Sequence, residues 1–123
     1  MCVSACLYCA VVAEDAWIAS EDALAVPHPE PLTPFHIVVF PRRHVAGFYD
    51  LDVKEQGEVW GLVGEVRKRV AQSLEVTGFD IGFQDGSPDE ETPSHALVHV
   101  VPRVPGRRVK LLAGTEWVDA GSQ

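Results

Sequence analysis

Apolar residues recur along this chain with two different periods, and the change of period marks its elements. Val59, Val63, Val66, Val70 and Leu74 follow one another at steps of four, three, four and four, with Trp60 and Leu62 broadening the stripe. That one-sided spacing predicts an amphipathic helix over about residues 53–75. Asp52 and Glu55 stand before it with the spacing of a capping box. Core burial accounts for the stripe without a cofactor. Elsewhere the apolar runs are short. Trp17–Ser20 and Ala23–Val26, separated by Ser20-Glu21-Asp22, read as a hairpin. Phe35–Phe40 reads as a buried strand ending at Pro41, and Phe79–Gln84 as another. Four prolines within Pro27–Pro34 exclude a helix or central strand there and predict a stiff, extended connector. It carries His28 and Glu30. Asp85–Ser94 is an acidic loop.

The run His95–Arg103 combines strand character with chemistry. Side chains alternate across a strand, so His95, Leu97 and His99 share one face while Ala96, Val98 and Val100 share the other. The second face is apolar and reads as core. The first holds two imidazoles with a leucine between them, an odd arrangement for a site built around proton or phosphoryl chemistry.

With 123 residues, 46% of them hydrophobic, the chain reads as a single domain over 1–123, with a C-terminal tail from about residue 106. A formal charge of −8 argues against nucleic acid or an anionic membrane as partner. No run approaches the roughly 18–20 apolar residues of a membrane span. The start lacks the basic region of a secretory signal, so the cytoplasm is the expected compartment. Cys2 reads as a free thiol, whereas Cys6 and Cys9 form a C-x-x-C pair suited to metal or redox chemistry. Two thiolates need two more ligands for a tetrahedral zinc site, and His28, His36, His44, His95 and His99 are the available imidazoles. Spacing does not choose among them. It does limit His95 and His99, which lie about 13 Å apart along a strand, to one ligand between them. The alternative is a pair of reduced cysteines in a frayed N-terminus.

Taken in order, these motifs resemble the histidine triad (HIT) superfamily from about residue 4 to 118. His95-Ala-Leu97-Val-His99-Val-Val-Pro-Arg103 is similar to the signature His-φ-His-φ-His-φ-φ except at its centre. Cys6-Leu-Tyr-Cys9 looks like the zinc knuckle of many members, and Leu32–Val45 looks like the segment P-x-x-P-G-H-x-L-V-x-P-K-R-H. The resemblance implies an α+β fold: a five-stranded antiparallel sheet with one long helix and a short helix packed on it, paired into a homodimer. It also implies a structural zinc held by Cys6, Cys9, His44 and His95, a closed site with no water position.

Where the family carries its nucleophilic histidine this chain has Leu97, which has no lone pair, so the covalent nucleotidyl route is closed. The phosphate loop reads Glu90-Glu91-Thr92-Pro93, and a carboxylate near a phosphate repels it by on the order of 1 kcal/mol. The family's ribose-contacting Asp falls at His28, its loop Asn at Gln84, and the Gly before the strand histidine at Phe35. The resulting expectation is a repurposed enzyme for a small molecule. His99, His28 and Glu91 serve as acid–base groups, while Leu97, Gln84, Thr92 and Glu90 contact the substrate. The alternatives are a catalytically silent binding protein and a residual nucleotide hydrolase or transferase. His36 is expected to be a structural hydrogen-bonding histidine. Arg103, Arg107 and Arg108 are assigned to the surface or dimer edge, and Trp117 to a partner's pocket.

Overall fold

A computed structural model describes residues 6–83, 85–86 and 95–106. Within them five strands form one antiparallel sheet: β1 (Ile18–Ala19), β2 (Ala23–Pro27), β3 (Ile37–Pro41), β4 (Gly78–Gly82) and β5 (Val98–Arg103), in the order β1-β2-β3-β5-β4. The helix α1 covers Val53–Ser73. The expected capping box forms: Asp52 Oδ1 accepts from the Glu55 N–H at 2.8 Å, and Glu55 Oε1 accepts from the Asp52 N–H at 3.0 Å. Among the described residues, two single 3₁₀ turns, Ala13–Asp15 and Phe48–Asp50, accompany the long helix.

Alternation divides the sheet into two working faces. Ala23, Ala25, Ile37, Val39, Val98 and Val100 meet Val59, Leu62, Val63, Val66 and Val70 of α1. These side chains form the main core, each valine or larger contributing at most about 1.5–3 kcal/mol by leaving water. The opposite face carries Leu24, Val26, Val38 and Phe40, covered by Tyr8, Val11, Ala16 and Leu97. The N-terminal segment lies over this second face, and the histidines gather there.

Three boundaries depart from the sequence expectation for local reasons. Strand β3 starts at Ile37 rather than Phe35 because Phe35 has φ +65°, a left-handed conformation that turns the chain into the strand. Strand β5 starts at Val98, leaving His95 outside the ladder, because the Ala96 N–H is taken by the Val45 carbonyl at 2.6 Å. Strand β2 extends into the proline connector as far as Pro27, its terminal residue, opposite Ile37. Among the described residues, no helix is long and apolar enough to cross a membrane.

Candidate functional site

Two clusters of imidazoles form beside the sheet, and their hydrogen bonds give them opposite chemistry. The first joins Cys6, Cys9, His44 and His95, whose candidate ligand atoms all lie within 4.8 Å of one another. The loop bends so that the Cys9 N–H points at Cys6 Sγ, 3.4 Å away. His95 Nδ1 lies 3.4 Å from Cys6 Sγ and 3.6 Å from Cys9 Sγ, while His44 Nδ1 lies 3.2 Å from Cys9 Sγ. The other nitrogen of His95, Nε2, is 2.7 Å from the Pro41 carbonyl. A carbonyl only accepts, so Nε2 carries the proton and Nδ1 presents a lone pair toward the sulfurs. Burial pushes His95 below its ordinary value, which favours the neutral form a metal ligand needs.

These distances fit a tetrahedral ion. Bonds of about 2.3 Å to sulfur and 2.0–2.1 Å to nitrogen place S and N about 3.6 Å apart at tetrahedral angles. His44 Nε2 is buried with no hydrogen-bond partner among the described residues, so its ring is oriented through Nδ1 and the Cys9 sulfur. A cation at the centre would anchor it. Cys9 also takes part in a disulfide, and ligation requires its reduced thiolate.

The second cluster joins His28, His36 and His99. His28 and His36 stack with ring centres 4.4 Å apart, and His99 lies 5.2 Å from His36 and 5.5 Å from His28. Backbone amides fix the protons here. The Leu32 N–H donates to His36 Nδ1 at 3.1 Å, and the Glu30 N–H donates to His28 Nδ1 at 3.0 Å. With Nδ1 occupied as an acceptor, neutral His36 carries its proton on Nε2 and donates it to His99 Nδ1, 3.0 Å away. His99 is therefore protonated on Nε2. Burial lowers both His36 and His99 to about 4, with further lowering by the charge of His28, so both are neutral at pH 7. A metal bound through Nε2 of His36 or His28 would need the proton on Nδ1, where a backbone N–H already points. This cluster is unsuited to a cation. A third group, Glu21, Asp22 and Glu58, already holds the Lys54 ammonium at 2.6, 2.6 and 3.1 Å.

Leu97 lies half-buried on the same sheet face, packed against the cluster of Leu24, Val26, Val38 and Phe40. A cavity of about 360 Å³ opens between the N-terminal segment and the end of β2, lined by Leu7, Tyr8, Ala10, Val11, Asp15, Val26, Pro27 and Pro29, and not by Leu97 or the clustered histidines. Asp15 is its one ionisable carboxylate among the described residues. Its last two lining residues, Pro27 and Pro29, flank His28 in sequence.

The sequence profile of the HIT domain matches residues 10–106. The chain belongs to the HIT family. Among its curated HIT relatives, it is 28% identical over 92 residues to the bifunctional bis(5'-adenosyl)-triphosphatase/adenylylsulfatase FHIT of Arabidopsis thaliana, covering 75% of this chain and 51% of that protein. It is 31% identical over 74 residues to the asymmetrical bis(5'-nucleosyl)-tetraphosphatase of Schizosaccharomyces pombe, covering 60% of this chain and 41% of that protein. The chain thus spans about half the length of these relatives. In structure it is similar to a Zn-bound histidine triad family protein from Mycobacterium smegmatis, with TM-score 0.72, 23% identity, and coverage of 96% and 86% of the two chains. That likeness establishes the HIT fold.

Of the site residues expected from sequence, Cys6, Cys9, His44 and His95 come together, as do His28 and His99, with Leu97 on the same face. Gln84, Glu90, Glu91, Thr92 and Pro93 lie outside the described residues, as do Cys2, Arg107, Arg108 and Trp117. Sequence reasoning gave His36 a structural role only. Its bond to His99 spans 63 positions and follows from β3 pairing with β5, where Val38 faces His99. Arg103 is tied to Asp80 at 3.3 Å.

Proposed function

We propose that this HIT protein is a zinc-structured enzyme acting on a small molecule, in a pocket that no longer performs covalent nucleotidyl transfer. One observation carries the reading: no imidazole of the His28–His36–His99 cluster presents a lone pair outward. Each Nδ1 accepts a hydrogen bond, and each Nε2 carries a proton. Leu97 supplies no nucleophile in compensation. Neutral His99 then acts as a hydrogen-bond donor that polarises substrate, a role a neutral imidazole performs well. His28 and Glu91 are assigned to proton transfer, with Leu97 as apolar floor and Gln84, Glu90 and Thr92 as further substrate contacts.

Zinc is assigned to Cys6, Cys9, His44 and His95. When bound it would tie the N-terminal segment to the loops around His44 and His95 and supply no catalytic position, because four protein ligands close a tetrahedral shell. The thiolates suit a reducing compartment such as the cytoplasm. A homodimer is proposed for the assembly, tested by sedimentation.

The decisive experiment replaces Leu97 by His and assays hydrolysis of a fluorogenic adenosine phosphoramidate. The L97H variant is expected to stay inactive, because Glu90 and Glu91 disfavour phosphate; measurable turnover would overturn the reading. A second reading, a residual nucleotide hydrolase, draws on the relatives named as dinucleoside polyphosphatases. It predicts that AMP or diadenosine polyphosphates raise the Tm of the unaltered protein.

A further inference from the structure

We propose that residues 29–32 form an acid-released strap, held on the sheet by the neutral imidazoles of His28 and His36 and freed when these take up protons. The segment hangs between two ends joined by one ladder bond, in which the His28 N–H donates to the His36 carbonyl at 2.8 Å. Proline leaves it few donors: between residues 29 and 34 only Glu30, Leu32 and Thr33 carry a backbone N–H. Two of those three are given to imidazole, Glu30 to His28 Nδ1 at 3.0 Å and Leu32 to His36 Nδ1 at 3.1 Å. Beyond them the chain is anchored without a titrating group, since Thr33 Oγ1 donates to the Pro102 carbonyl at 3.1 Å.

Both bonds to imidazole exist only while the rings are neutral. A protonated imidazole donates from both nitrogens and accepts at neither, so each ring would then set an N–H against a backbone N–H about 3 Å away. The contact that held the strap becomes one between two donors, and the Leu32 amide recovers a partner by turning to water. The rings facing His36 are His28, stacked at 4.4 Å, and His99 on β5, at 5.2 Å, and a charge on either opposes a charge on His36. Among the described residues no carboxylate pairs with the three imidazoles to offset that charge. Asp80 on β4 is tied to Arg103, and Glu30 of the strap itself is exposed.

With the strap in place His36 titrates at about 4; with the strap lifted, water reaches the ring and its ordinary value near 6.5 returns. The released form binds more protons between those values, so acid favours it. From pH 7 to about pH 4.5 the released-to-held ratio rises by roughly fiftyfold. Below about 4 both forms are protonated and the ratio levels off. Release takes Pro29 with it, and Pro29 is part of the wall of the cavity beside the N-terminal segment. The strap thus couples proton uptake at the histidines to the shape of a cavity that none of them lines.

The test is hydrogen exchange of the Leu32 amide, read by NMR at pH 7 and about pH 4.5 and corrected for the intrinsic rate. In the unaltered protein its protection is expected to fall roughly fiftyfold, with Glu30 falling alongside. At both pH values it should stay below the protection of the Val63 and Val66 amides in α1. His36→Asn places an acceptor close to where Nδ1 stood and does not titrate, so the fall at Leu32 should disappear in it. Loss of any bound zinc in acid affects both proteins alike, so the difference between them reads the strap alone. Protection of Leu32 that does not fall, or that falls equally in His36→Asn, overturns the proposal. So does protection equal to that of α1, because the amide would then open only with the whole fold. That comparison needs the unaltered protein alone and holds even if His36→Asn does not fold.

Discussion

The two histidine clusters of this HIT protein use the same side chain to opposite ends, and backbone contacts at His95, His36 and His28 decide which. At His95 the contact is an acceptor, the Pro41 carbonyl, which holds the proton on Nε2 and leaves the Nδ1 lone pair facing two sulfurs. At His36 and His28 the contacts are donors, the Leu32 and Glu30 amides, which hold the Nδ1 lone pairs and put the protons on Nε2, that of His36 being donated to His99. A lone pair beside thiolates calls for a cation; a row of N–H groups calls for an oxygen. Residue type alone does not separate a metal site from a substrate site. The partner of the second nitrogen does.

The largest expected effect breaks the first cluster. Purified, reduced protein should contain one zinc per chain, and Cys6→Ser or His44→Ala should fall well below that in metal analysis. With free zinc a thousandfold above Kd, loss of the ion removes about 4 kcal/mol of stability, read as a drop in Tm on chelation of the unaltered protein. Far less than one ion per chain in the unaltered protein would refute the assignment.

The second cluster is sharpened by pH. His36 and His99 titrate at about 4 when folded, against about 6.5 in an unfolded chain. Between those values the unfolded state binds more protons, so stability rises with pH across the window. The contribution is fully present above pH 6.5 and lost as pH falls to about 4. Denaturant midpoints should show this slope, and His36→Gln should flatten it. An equal slope in the variant would mean that other groups cause it, the zinc ligands among them.

The smallest effect concerns the entry to the second cluster. Phe35, beside His36, holds φ +65°, which costs a side-chain-bearing residue roughly 1–2 kcal/mol, while glycine adds back about 0.5–1 kcal/mol of chain entropy. Phe35→Gly should therefore raise stability by up to about 1 kcal/mol. A loss of stability would mean that the half-exposed ring contributes more by packing than the backbone loses by strain.

The helix was fully legible from sequence, because its cap and its stripe are local: Asp52 with Glu55, and Val59 through Val70. The metal cluster was half legible. The C-x-x-C pair announced itself, but five histidines were equally eligible by spacing, and only the HIT pattern chose His44 and His95. The tautomer arrangement was not legible at all. It depends on strands β3 and β5, distant in sequence, lying side by side, and on which backbone groups the chain turns inward at Leu32 and Pro41. Phe35 illustrates the same limit, since a phenylalanine gives no sign of a left-handed backbone until the segment around it is seen.

The proton positions themselves can be observed. Long-range ¹H–¹⁵N correlation spectra of the histidine side chains, recorded at pH 7 on zinc-loaded protein, report the tautomer of each ring. The account predicts that His36 and His99 are neutral with the proton on Nε2, and that His95 carries its proton on Nε2 with Nδ1 bound to metal. A proton on Nδ1 of His36 or His99 would contradict it.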